Sequence, residues 1–163
     1  MMKKIFMSLS IRFFALMFIA CDFGRDKAEM RLVKACRDFT ERCPMPAGKR
    51  LVCDSSGIED GYLVFFLRIN DKEPYLLSLF RKNKAEYKEQ IKNSLLSDTN
   101  ENGIALMKEI KKSQGGMVLR VRSATTGREI NFRYTPEEVA EITDRMLKSV
   151  FEDAENIPVE EVF

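Results

Sequence analysis

The sequence predicts an α+β fold: a five-stranded, mainly antiparallel sheet with helices packed on one side, in the order α-βββ-αα-ββ-α. Three observations predict it. Apolar residues at helical spacing (Ala28, Leu32, Ala35, Cys36, Phe39) open the folded part of the chain. Strand-like runs then come in consecutive groups instead of alternating singly with helices. Near the end, a hairpin runs directly into a complete helix start at Thr135-Pro136-Glu137-Glu138.

The first helix spans about Ala28 to Arg42, and its apolar positions form one stripe. Pro44 stops it, because proline lacks the N–H that the next turn needs. Pro44, Pro46 and Gly48 then read as a turn-rich joint. A first strand follows at about Arg50–Asp54, and Ser55 to Gly61 punctuates it. Tyr62–Ile69 is aromatic and aliphatic on both faces, as a central strand requires. Asn70-Asp71-Lys72 turns, and Pro74 opens a third strand at Tyr75–Phe80. Strands this closely spaced are expected to pair as antiparallel neighbours.

Two helices come next. Asn83 is placed to cap the first, with Glu86 three residues on, and Tyr87, Ile91, Leu95 and Leu96 form its apolar stripe. Ser97-Asp98-Thr99-Asn100 breaks the pattern and offers new caps. Ile104, Met107 and Ile110 resume helical spacing until Gly115-Gly116. The strands Met117–Arg122 and Arg128–Tyr134 flank Ala124-Thr125-Thr126-Gly127. Leu119 and Val121 share one face of this hairpin, as do Ile130, Phe132 and Tyr134, so one side is buried. The last helix carries Val139, Ile142, Met146, Leu147 and Val150, with Tyr134 and Val139 stapling its start.

The N-terminal residues carry a different signal. Met1-Met2-Lys3-Lys4 is a basic start, and Phe13–Ala20 is an apolar run of eight residues followed by Cys21. Eight residues fall far short of the roughly 20 needed to cross a hydrocarbon core. Extending the run back to Ile5 puts Arg12 mid-span, which costs roughly 2.5–3.5 kcal/mol. An ordinary cleaved signal wants small residues at −1 and −3, and Phe18 does not fit the second. A retained N-terminal helix and a soluble secreted product are the rival readings, and Met7 offers a second start that keeps Arg12. Phe18-Ile19-Ala20-Cys21 resembles the lipobox of bacterial lipoproteins, with Phe18 where leucine is usual. The resemblance implies cleavage before Cys21, a diacylglycerol thioether on Cys21 and a further acyl chain, palmitate or similar, on the new amine. Two or three chains anchor stably where one would not. The expected organisation is then signal 1–20, tether 21–27, one α+β domain 28–152 and an acidic tail 153–163.

Composition narrows the chemistry. Cleavage removes Lys3, Lys4 and Arg12, leaving 24 basic and 25 acidic residues and a net charge of −1. Interleaved charges near neutrality give no footprint for nucleic acid. The chain has no His and no Trp. Lack of His removes Ser-His-Asp and Cys-His nucleophiles and imidazole metal sites, so no cofactor or metal is expected. Cys36, Cys43 and Cys53 allow one disulfide and one leftover thiol, with the pairing open, or three buried thiols that act as small hydrophobes. None of them forms C-x-x-C, so a thioredoxin-type motif is absent.

Several motifs have a bland and a sharp reading. Asp54-Ser55-Ser56-Gly57 is a polar turn before it is a nucleophilic serine, since no histidine base exists. Arg120, Arg122 and Arg133, with Arg128 nearby, offer an anion or partner contact on the open face of the hairpin, or an ordinary solvated strand face. Arg120 and Arg122 share a face that Arg133 is placed to oppose. The lysines from Lys82 to Lys92 read as an exposed helix face. Asp98, Asn100, Glu101 and Asn102 suit a helix cap better than a calcium loop. Val159-Glu160-Glu161-Val162-Phe163 would suit strand addition to a partner, or a frayed end. Cys43-Pro44, Tyr62–Ile69 and Phe132-Arg133-Tyr134-Thr135-Pro136-Glu137 together resemble small periplasmic lipoproteins and exported domains of unknown function, a resemblance that implies no activity.

These readings lead to one expectation: a non-catalytic binding or accessory domain of the bacterial envelope. It would be lipid-anchored, facing the periplasm or the outside, with the bilayer and an envelope protein as partners. An inhibitor or immunity-type protein for a co-encoded partner is one alternative. An enzyme using carboxylates or the free cysteine is the other.

Overall fold

Alternation along the last strand sets the two faces of the sheet. Ile130, Phe132 and Tyr134 are buried, while Glu129, Asn131 and Arg133 between them are exposed. The chain is a computed structural model that describes residues 27–47, 50–69, 75–97 and 100–155. The signal, Cys21, the tether, the turn at 70–72 and the end of the tail lie outside the described residues.

The elements are α1 (27–40), β1 (Met45–Pro46), β2 (Leu51–Glu59), β3 (Tyr62–Ile69), α2 (Tyr75–Lys82), α3 (Lys84–Leu96), α4 (Glu101–Lys112), β4 (Gly116–Ser123), β5 (Glu129–Tyr134) and α5 (Pro136–Glu155). The five strands form one sheet in chain order, β1-β2-β3-β4-β5, with β3 at the centre as its two apolar faces require. The α+β class, the five strands and the mainly antiparallel pairing agree with the sequence reading. β3 and β4 pair in parallel, however, Tyr62 with Gly116 through Ile69 with Ser123. A parallel join needs a long crossover, which α2, α3 and α4 supply.

The helices contribute their apolar stripes to one core. Leu32 and Cys36 of α1, Leu77 of α2, Ile104, Met107 and Ile110 of α4, and Val139, Ile142 and Met146 of α5 join Leu63, Leu67, Met117, Val121, Phe132 and Tyr134 of the sheet. All these strand residues lie on one face, so the helices pack on that side, as expected. Each such large side chain, fully buried, contributes roughly 1.5–3 kcal/mol.

Two strands differ from the sequence reading. Tyr75–Lys82 is a helix, with Leu77 buried and Leu76 and Phe80 packed beside it, while Tyr75 and Leu79 are exposed. Positions 76, 77 and 80 are i, i+1 and i+4, one side of a helical turn, and a short apolar run does not separate the two periods. The fifth strand is instead β1, two residues inside the proline-rich joint, with Met45 opposite Cys53 and Pro46 opposite Val52. Proline is tolerated there because β1 is an edge strand.

Ser55 to Glu59 continues β2 instead of ending it. A bulge between Cys53 and Ser55 re-aims the strand and leaves Asp54 unpaired in the ladder. Ser56, pointing inward, is satisfied by α1: its Oγ donates to the Cys36 carbonyl at 3.1 Å, and its N–H donates to Thr40 Oγ1 at 3.0 Å. Phe39 of the same helix meets Phe65 of β3 edge-on at 5.3 Å between ring centroids. A polar stretch therefore stays in the sheet because a helix answers its hydrogen bonds.

Caps divide in the same way. Thr135 and Glu138 form the expected reciprocal box on α5: Glu138 N–H donates to Thr135 Oγ1 at 3.3 Å, and Thr135 N–H donates to Glu138 Oε2 at 2.8 Å. Asn100 caps α4 by accepting from Asn102 N–H at 2.9 Å. Asn83 makes no side-chain cap bond, and Glu86 accepts from Gln90 instead. At the end of α4 the left-handed residue is Gln114, at φ 53°. The following glycine serves close approach, since a Cβ on Gly116 would fall 2.2 Å from the Tyr62 ring.

Candidate functional site

The inner face of the sheet is wider than its helices cover. Between α1 and β1 on one side and α3 and α4 on the other lies a groove of about 580 Å3. Its floor runs across four strands, from Leu51 of β2 through Phe65 and Leu119 to Phe132 of β5. Neighbouring strands are ~4.8 Å apart, so the floor is about 14 Å across. One wall is Phe39, Met45 and Ala47; the other is Ile91, Leu95 and Leu106. Phe80 closes one end, edge-on to Tyr87 at 4.6 Å and to Phe132 at 6.4 Å.

Its polar groups are already engaged. Ser94 Oγ donates to the Gln90 carbonyl at 3.0 Å. The Cys53 thiol donates to the Ser55 carbonyl at 3.4 Å, and the neighbouring Cys43 thiol donates to the Phe39 carbonyl at 3.7 Å. Burial first, then Cys43, pushes the Cys53 pKa up to about 12, so this thiol stays protonated near neutral pH. The groove can bury apolar surface; no pair of carboxylates lines it.

The outer face holds the arginines, each differently. Arg120 grips Glu59 with two hydrogen bonds, at 3.1 and 2.7 Å, and lies over the Phe66 ring at 5.3 Å. Arg133 stacks on Tyr62 at 3.9 Å. It does not oppose Arg120 or Arg122: its register partner is Val118, while Arg120 faces Asn131 and Arg122 faces Glu129. Arg68, which the sequence reading did not single out, makes a two-bond pair with Asp54 at 2.9 and 3.0 Å. Arg68 and Arg122 are lateral neighbours on β3 and β4 and line a shallow hollow of about 420 Å3 with Asp54 and Glu129. Arg120 and Arg122 both line this hollow and Arg133 does not; Glu59 holds Arg120 and the Tyr62 ring holds Arg133.

The cysteines and remaining motifs also have places. Cys36, Cys43 and Cys53 are free thiols. Cys36 lies 3.2 Å from Ser56 Oγ, apart from the Cys43 and Cys53 pair. Ser55 and Ser56 are strand residues, without a base to activate them. Lys88 and Lys92 of α3 pair with Glu138 and Glu141 of α5, which accounts for that basic face. Among the described residues, no three metal-ligating side chains come together, and no helix is long and apolar enough to cross a membrane.

Sequence reasoning missed the groove because it needs nine elements at once.

No family model matches the chain, and no curated protein matches it. Two solved structures resemble it. One is a candidate secreted protein of Pseudomonas aeruginosa, with a TM-score of 0.54 at 13% identity over 71% of this chain and 96% of the other. The other is the pilotin EpsS of the Vibrio vulnificus type 2 secretion system, with a TM-score of 0.44 at 10% identity over 72% of this chain and 96% of the other. The first likeness is one of fold.

Proposed function

We propose that this chain is a lipid-anchored accessory protein of the bacterial envelope that holds the apolar face of an amphipathic helix from an envelope protein. The groove carries this reading. Its volume lies in the range of ~300–1,000 Å3 seen for binding sites, and its aromatic and methionine lining adapts to a side-chain surface. A floor about 14 Å across matches between two and three turns of helix at 5.4 Å each. Exposed polar residues flank it: Gln90 and Asn102 on the α3 and α4 side, and Arg50 beside Leu51 on the β1 side. An apolar centre with a polar rim is the anatomy of a protein interface, and helix-in-groove docking reads i, i+3, i+4 and i+7 anchors. The two bonds to Arg120 leave the outer face less free to act than the inner one.

The role is non-catalytic on this reading, since the groove offers no base and no reactive nucleophile. The lipobox-like run ending at Cys21 supports the anchor, and the fold shared with a candidate secreted protein supports export. A Cys43–Cys53 disulfide belongs to the same reading, because the β1–β2 pairing sets Met45, two residues from Cys43, opposite Cys53.

A photo-crosslinking amino acid at Leu95 or Leu106, in cells, tests the groove. The expected product is a covalent adduct to one envelope-protein peptide with helical apolar spacing, absent when the probe is at Asn131 on the outer face. Adducts to lipid only, or equal adducts at Asn131, would overturn it.

A further inference from the structure

α1 carries an outward face that the fold does not use. At about 100° per residue, Met30, Lys34 and Arg37 fall within about 60° of one another, with Val33 about 40° beyond. That stripe is opposite Leu32, Cys36 and Phe39, which enter the core. Met30 is 65% exposed and Val33 56%, the two most exposed large apolar residues among those described. Arg31 and Lys34 form no ion pair among the described residues, and Arg37 only reaches Asp38 at 3.9 Å. On α3 and α4, three lysines are matched to carboxylates of α5, Lys88 to Glu138, Lys92 to Glu141 and Lys111 to Asp144. The two acidic residues of α1 border the stripe, Asp38 one turn beyond Lys34 and Glu29 one turn before Val33, so Arg31, Lys34 and Arg37 leave it with a net positive charge of one.

Chain length says what lies opposite. Residue 27, the first described residue of α1, is six residues from Cys21. Six residues reach at most ~20 Å. If Cys21 carries the acyl chains, the first turn of α1 is held within that distance of the headgroups. We propose that the outward stripe of α1 lies on the anionic lipid surface, Met30 and Val33 entering the headgroup boundary and Lys34 and Arg37 facing lipid phosphates, with Arg31 on the flank. This inference rests on the lipid-anchor reading above. A basic patch beside an acyl chain is the two-signal arrangement that makes membrane attachment firm. The domain is then docked at a fixed attitude. Its groove, bounded by Phe39 at the other end of α1, is held close to the bilayer.

The absence of Trp in the chain supplies the probe. Val33→Trp and, as a reference, Asn131→Trp are each made in the acylated full chain and placed in phosphatidylethanolamine–phosphatidylglycerol vesicles containing brominated lipid. The expected result is several-fold stronger quenching for Val33→Trp, falling ~10-fold or more in vesicle partition when Lys34→Glu and Arg37→Glu are added to the unacylated Cys21→Ser chain. Equal quenching at the two positions, in protein that mass spectrometry shows to be acylated, overturns docking and leaves the anchor standing. An unacylated Cys21 in the cell-derived protein overturns the anchor instead. Docking is then decided by the same quenching pair on a chain tethered through an N-terminal histidine tag to nickel-chelating lipid.

Discussion

Cys53 shows how one buried side chain ties stability to chemistry. Its thiol is in the groove floor, beside Cys43, with its pKa pushed from 9.0 up to about 12, by burial first and by Cys43 second. A raised folded pKa means that the native state favours the protonated thiol. That contribution is whole below pH 9 and is lost as pH rises from 9 toward 12. Tyr134 acts in the same direction: it is fully buried, its hydroxyl donates to the Lys88 carbonyl at 2.8 Å, and burial raises its pKa. The reduced protein is expected to hold its urea midpoint up to about pH 9 and lose it above, with a shallower loss in Cys53→Ala. A midpoint that stays flat to pH 11 would refute the coupling. Oxidation by a dithiol–disulfide oxidase would join Cys43 to Cys53 and pass two protons and two electrons to the oxidase disulfide, which becomes a dithiol. Mass spectrometry should then find that bridge, with Cys36, which Ser56 holds elsewhere, the one thiol left to titrate in the domain 28–152. A bridge involving Cys36 would contradict the placement of α1 over β2.

Elements were legible where their signals are local. The β4–β5 hairpin and α5 could be read because alternation, turn and capping box are each complete within a few residues. The run Tyr75–Phe80 could not, since six apolar-rich residues satisfy both periods until a core chooses the side. β1 is too short to have a period at all. Gly116 looked like a helix end because a Gly pair after an apolar stripe usually is one. Its actual reason, the Tyr62 ring lying across it, depends on a parallel neighbour 54 residues earlier. The α5 cap is the element whose energy is easiest to test. Thr135→Ala should cost ~1 kcal/mol, read as a lower urea midpoint. Glu138 also pairs with Lys88 at 2.6 Å. Burial works to raise its pKa, but the Lys88 and Thr135 N–H bonds outweigh it and set the pKa below 4.5. A lowered carboxylate pKa gives stability that is present above 4.5 and lost as pH falls. Glu138→Gln should therefore flatten the acid limb of the stability curve while leaving its alkaline limb in place. An unchanged acid limb would show that the pair contributes nothing, as exposed pairs often do.

At the scale of the whole molecule, the missing piece of the sequence reading is the piece that matters most. Arg120, Arg122 and Arg133 could be found as a set, but their partners come from β2 and β3, so their loss of freedom to Glu59 and Tyr62 was not visible. The groove was invisible for a related reason: no segment is unusual, and the gap arises from how far α1 stands from α3. Its consequence can be measured without knowing any partner. A native apolar trough should bind 8-anilinonaphthalene-1-sulfonate and enhance its fluorescence several-fold at a concentration where the urea transition stays cooperative. Leu106 is only half-buried at the groove wall, so Leu106→Lys should abolish most of that enhancement while costing about 1 kcal/mol or less in stability. The same enhancement with a flattened urea transition would point to a loosened core instead, because a molten state also exposes apolar surface but loses its fixed packing. Cooperative unfolding together with dye binding that Leu106→Lys removes separates a built groove from a poorly packed one. Only the built groove can select a helix by its spacing, because selection requires walls that hold their distance when the partner is absent.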